Sequence, residues 1–107
     1  MEREERIGMR RVVMVDKIGT AAMYEQLAEE CCELAQAALK ASRLLRGDNP
    51  PRNMTHKDVW ANLTEEVADV YLCLRELDLD DVDEELVDFK EGRFLRAWEK
   101  EHPSESE

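Results

Sequence analysis

Glycine and proline are scarce in this 107-residue chain, at four and three residues, so it can make few turns. Aromatic residues are only 6% of it and runs of β-branched residues are few, which argues against a sheet. No apolar run approaches the roughly 18 residues a membrane-spanning helix needs. Bases are outnumbered, 15 Lys and Arg against 26 Asp and Glu, a net charge of −11. Nucleic acids and anionic membranes attract basic patches, so both are poor candidates as partners. The start, Met1-Glu2-Arg3-Glu4-Glu5-Arg6, is too acidic for a secretory signal. Three cysteines, an odd number, read as reduced thiols in a cytoplasmic protein. Two histidines outside any motif, with no phosphate-binding glycine loop, leave little for imidazole or Ser/His/Asp chemistry.

What is present is helical periodicity. The length fits one domain, expected over residues 1–103 with a disordered acidic tail at 104–107. Residues 3–18, with Ile7, Val12, Val13, Met14, Val15 and Ile18, read as a first helix; Val-Val-Met-Val could be a strand, but nothing offers it a partner. A second helix is expected from a Thr20 cap to Arg46, stopped by Gly47. Lys40, Arg43 and Arg46 suit the negative end of its dipole. After a loop at Asp48-Asn49-Pro50-Pro51-Arg52-Asn53, Thr55 and Asp58 form a capping box for a third helix reaching about Leu77. Asp81 and Glu84 resemble a second capping box, opening a helix that ends at His102-Pro103. An all-α, four-helix bundle-like fold follows.

Acids intrude on two of the apolar stripes. The second helix carries Leu27, Cys31, Leu34, Ala38 and Leu45 at helical spacing; the third carries Val59, Leu63, Val67, Val70, Leu74 and Leu77. Trp60 and Tyr71 are expected in the core, and Cys31 and Cys73 as small buried hydrophobes. Glu30 lies three residues after Leu27 and four before Leu34; Glu66 lies likewise between Leu63 and Val70. Each therefore shares a face that should be dry. Glu33 and Asp69 follow one turn later. A single Glu at a stripe edge is usually just a solvated position. Two acidic pairs on two helices favour a site, because four converging carboxylates would repel one another unless divalent cations neutralised them. Oxygen donors without His or Cys suit Mg²⁺ or Mn²⁺, and the missing Glu-x-x-His pairs disfavour a di-iron centre. Lys90, Arg93 and Arg96, at i, i+3 and i+6 on the fourth helix, could be ordinary surface bases or could capture phosphate.

Glu29, Glu30, Glu33, Glu66 and Asp69 reproduce the pattern Glu-Glu-x-x-Glu followed by Glu-x-x-Asp. In these residues, over roughly 17–96, the chain resembles the MazG-like all-α nucleoside triphosphate pyrophosphohydrolases, particularly small single-domain bacterial and phage members. Gly47-Asp48-Asn49-Pro50 and Lys90 extend the likeness. The resemblance implies Mg²⁺-dependent cleavage of the α–β phosphoanhydride of a nucleotide, with Mn²⁺ as a possible substitute. It assigns Glu30, Glu33, Glu66 and Asp69 to the metal, Glu29 to the attacking water, and Lys90, with Arg93 or Arg96, to substrate phosphate. It also implies a homodimer or homotetramer. The chain departs from relatives at Ile18 and Met23, where some carry Trp and Gln, and at Phe94, where many carry Asn. The metal pattern is intact; the departures fall in the base pocket and part of the phosphate site. Two other readings share these features: a phosphoribosyl-ATP pyrophosphohydrolase, and a non-catalytic acidic helical oligomerisation module.

Overall fold

The computed structural model describes residues 13–103, and among them every regular element is helical: α1 (Val13–Ile18), α2 (Thr20–Arg46), α3 (His56–Glu76) and α4 (Glu84–Glu101). The all-α expectation holds. The expected first helix is seen only from Val13 onward; its residues 3–12, and the tail at 104–107, lie outside the described residues.

The helix ends follow local chemistry. Between α1 and α2, Gly19 sits at φ 91° and ψ 159°, a region open essentially to glycine alone. It serves as the N-cap of α2, and no side chain caps that end, so Thr20 is the first helical residue and not the expected cap. Gly47 stops α2 in the left-handed conformation at φ 72°. Its N–H donates to the Leu44 carbonyl and that of Asp48 to Arg43, the two bonds of a Schellman turn. Arg43 Nε also donates to the Asn49 carbonyl at 3.0 Å, tying the connecting loop to the end of α2. Thr55 and Asp58 form the expected reciprocal capping box at the start of α3. Asp78, at φ 61°, closes α3 as Gly47 closes α2, with Leu79 N–H reaching the Leu74 carbonyl at 2.7 Å. The cap of α4 is Asp83, accepting from Leu86 N–H, and not Asp81; in this acidic run several residues have capping chemistry, and backbone geometry selects among them.

Helices α2 and α3 pack as an antiparallel pair, turned back on each other by the connection at residues 47–55. Among the covered positions on α2 are Met23, Leu27, Glu30, Leu34, Ala37, Ala41 and Leu44; on α3 and its C-cap they include Val59, Leu63, Glu66, Val70, Cys73 and Leu77. Both series alternate steps of four and three, the seven-residue repeat of long helices packed side by side. Met23, Ala37, Ala41, Val59 and Cys73 are its most buried apolar members, and the two alanines leave room for α3 to approach. Each larger buried side chain contributes about 1.5–3 kcal/mol. The α2 seam is displaced from the expected stripe: Cys31, Ala38 and Leu45 face outward. On α3, Val67, Trp60 and Tyr71 are also exposed, so neither aromatic belongs to the core of this chain.

Helix α1 lies against both long helices, held by one buried acid. Glu76 is only 5% exposed, and its Oε1 accepts from the backbone N–H groups of Met14 and Val15 at 2.5 and 3.0 Å. Both amides lie in the first described turn of α1, and N–H groups at a helix start need acceptors from outside their own helix. A side chain at the end of α3 thus caps α1 from more than sixty residues away.

Helix α4 behaves differently. It buries none of its residues and packs extensively on no other element. Leu86, Val87, Phe89, Phe94, Leu95 and Trp98 are all exposed, Phe94 by 65%. The rings of Phe94, Trp98 and His102 stack along it. The radius of gyration, 18.5 Å, exceeds the roughly 13 Å of a compact 100-residue chain. Among the described residues, the four helices do not close into a bundle.

Candidate metal centre

The α2–α3 seam interrupts its own apolar character at Glu30 and Glu66. Both belong to the repeating series, so packing directs both side chains between the helices. Asp69, one turn beyond Glu66, joins them: one carboxylate oxygen from each of Glu30, Glu66 and Asp69 lies within 4.8 Å of the others, and all three residues are half-buried. Ligand oxygens around octahedral Mg²⁺ are about 2.9 Å apart when adjacent and about 4.2 Å when opposite. Three ligands of one octahedral cation can include at most one opposite pair, so at least two of these pairs would have to draw in to the adjacent spacing to share it.

Electrostatics at the centre favour a cation. Burial pushes the Glu66 carboxyl above its ordinary range, and the nearby charges of Asp69, Glu33, Glu30 and Glu65 push it further the same way. Glu66 Oε2 is shut off from solvent and has no hydrogen-bond partner. An acceptor-only oxygen, dry and without a donor, among carboxylates, is what a bound cation would satisfy. The donors are hard oxygens only, the set that Mg²⁺ and Mn²⁺ prefer. Cys73 lies in the same seam but remains a thiol: burial raises its pKa first, followed by the charges of Glu30 and Asp69. Cys31 and Cys32 are exposed, so Cys31 is not the buried hydrophobe expected of it.

The remaining candidate residues are placed less closely. Glu33 is exposed yet near enough to add to the repulsion on Glu66; it stands at the rim, outside the group of three. Glu29 is exposed on α2, next in sequence to Glu30. Lys90, Arg93 and Arg96 are exposed on α4, which packs extensively on neither α2 nor α3, and the Arg93 guanidinium stands 6.0 Å over the Phe89 ring. Near Gly19, Met23 is wholly buried while Ile18 is exposed.

One residue at the centre is not marked by the acidic pattern. Gln26 Nε2 donates to Glu30 Oε1 at 2.8 Å. The signal was the i, i+4 spacing of an amide and an acid on one helix, which is common enough to pass unnoticed. Comparison of the chain with family models, with curated proteins and with solved structures finds no match.

Proposed function

We propose that this chain is a Mg²⁺-dependent nucleoside triphosphate pyrophosphohydrolase of the MazG-like kind, releasing a nucleoside monophosphate and pyrophosphate. The observation that carries this reading is the convergence of Glu30, Glu66 and Asp69 from two helices, with one oxygen of Glu66 dry and without a donor. Glu30, Glu66 and Asp69 hold the cation, and Glu33 joins them from the rim. When bound, the cation polarises the phosphoryl group, lowers the pKa of water and offsets the substrate's negative charge. The Glu29 carboxylate orients the attacking water and accepts its proton. The hydroxyl of that water adds to phosphorus as the bridging P–O bond breaks, and pyrophosphate leaves.

Lys90, Arg93 and Arg96 neutralise substrate phosphates in this reading. That role requires α4 to be packed against an α2–α3 pair, and a homodimer or homotetramer that covers the exposed face of α4 supplies the packing. With a formal charge of −11, the chain otherwise repels a polyanionic substrate, so the cation and these bases together make binding possible.

The test is a panel of ribo- and deoxynucleoside triphosphates, with phosphoribosyl-ATP included, incubated with Mg²⁺ and scored for pyrophosphate against orthophosphate. Pyrophosphate with the matching monophosphate is the expected outcome. Orthophosphate as the primary product overturns the α–β assignment. Turnover confined to phosphoribosyl-ATP selects that narrower enzyme. The exposed α4 face also favours a second reading, a helical module whose role is assembly alone; it predicts no turnover on any member of the panel.

A further inference from the structure

We propose that Gln26 is a positioning residue of the metal centre, fixing the Glu30 carboxylate in its ligating orientation; the inference rests on the cation-site reading above. Glu30 is the one member of the trio with a hydrogen bond from a side chain, the 2.8 Å contact from Gln26 Nε2. Both residues are half-buried on α2, one turn apart. An ionised carboxylate only accepts, so it is the amide nitrogen of Gln26 that faces it.

The bond engages Oε1 of Glu30 and leaves Oε2 uncommitted. It also limits rotation about the last torsion of Glu30, which is otherwise broad. Glu66 differs, since its Oε2 has no partner. The centre thus has one ligand oriented in advance on α2, while α3 contributes the acid most strained by its neighbours. Gln26 suits this task because its amide is neutral: a lysine in its place would supply a donor but would compete with the cation by charge. Hydrogen-bond partners behind ligands orient them, and losing one typically weakens metal affinity about 10–100-fold.

The experiment compares wild type with Gln26→Met, which keeps the length and packing of the side chain without the donor, and Gln26→Asn, which keeps the amide but falls short of Glu30. Mn²⁺ affinity is read by electron paramagnetic resonance titration, and the apo Tm is recorded for each. The expected result is Mn²⁺ binding weakened about tenfold or more in both variants, with apo Tm unchanged. Wild-type Mn²⁺ affinity in both variants overturns the role of Gln26 while leaving the metal centre standing. Weaker binding accompanied by a matching fall in apo Tm overturns it too, because Gln26 would then be supporting the helix pair. Absence of Mn²⁺ binding in the wild type overturns the cation site itself, and with it this inference.

Discussion

Glu30 and Glu66 occupy positions that apolar residues fill above and below them in the same seam, so each is held partly out of water beside other carboxylates. At Glu66 that placement has a sign, because burial and the neighbouring charges raise its carboxyl. A carboxyl raised above its ordinary value takes up its proton more readily in the folded chain than in the unfolded one. The corresponding stability is fully present below the ordinary carboxylate range and is lost as pH rises through the raised value. Apo wild type should therefore lose stability as pH rises past the Glu66 transition, and Glu66→Gln should flatten that slope in thermal scans across pH. Glu66→Gln should also leave the apo protein no less stable at neutral pH, while weakening Mg²⁺ binding by more than about tenfold and abolishing turnover. Glu29→Gln should separate the roles: Mg²⁺ affinity within about threefold of wild type, with turnover down about a hundredfold, the scale of a lost general base. Equal loss of Mg²⁺ binding would make Glu29 a ligand. Glu30 and Glu66 were legible in the sequence because acids at seam spacing contradict their surroundings, and Asp69 because it follows Glu66 by one turn. Glu76 was not, because its donors, Met14 and Val15, lie more than sixty residues away.

The helices themselves were readable where a single residue type decides. Gly47 stops α2 because only a residue free of Cβ strain adopts that conformation cheaply, and Thr55 with Asp58 starts α3 by reciprocal capping. They were less readable where several residues compete: the acidic run before α4 offers Asp80, Asp81 and Asp83, and the chain path selects Asp83. The stripe on α2 was misaligned by one position at Cys31, Ala38 and Leu45, since alanines on several sides of that helix blur its periodicity. The described part of helix α1, Val13–Ile18, rests on α2 and α3 and on the Glu76 carboxylate. Glu76→Ala should remove the acceptor for two first-turn donors and cost about 1–3 kcal/mol in urea unfolding, with Glu76→Gln retaining part of the loss because its amide oxygen still accepts. No change in either variant would show that the cap contributes nothing to stability.

At the scale of the whole molecule, one chain leaves too much apolar surface uncovered. Few side chains are fully buried, and an amphipathic helix without a packing partner has little to stabilise it. The apolar residues of α4, among them Leu86, Phe89, Leu95 and Trp98, leave a face to cover. Their spacing does not say what covers it, because periodicity reports the presence of an apolar stripe and not its partner. In the proposed oligomer, light scattering should give a dimer or tetramer at micromolar concentration. Phe94→Asp with Trp98→Asp should weaken association at least about tenfold, as expected when aromatic anchors are lost from an interface. A wild-type monomer under those conditions would contradict the oligomeric account of α4.

The central claim is that the carboxylates of α2 and α3 form a cation site, and thermal unfolding at neutral pH with and without Mg²⁺ tests it most directly. A cation at a hundred times its Kd, bound only by the folded chain, stabilises it by about 2.7 kcal/mol. Wild type should show a clear rise in Tm at millimolar Mg²⁺ or Mn²⁺, and Glu66→Gln should show little or none. An unchanged wild-type transition with both cations, or an equal rise in Glu66→Gln, would contradict the site.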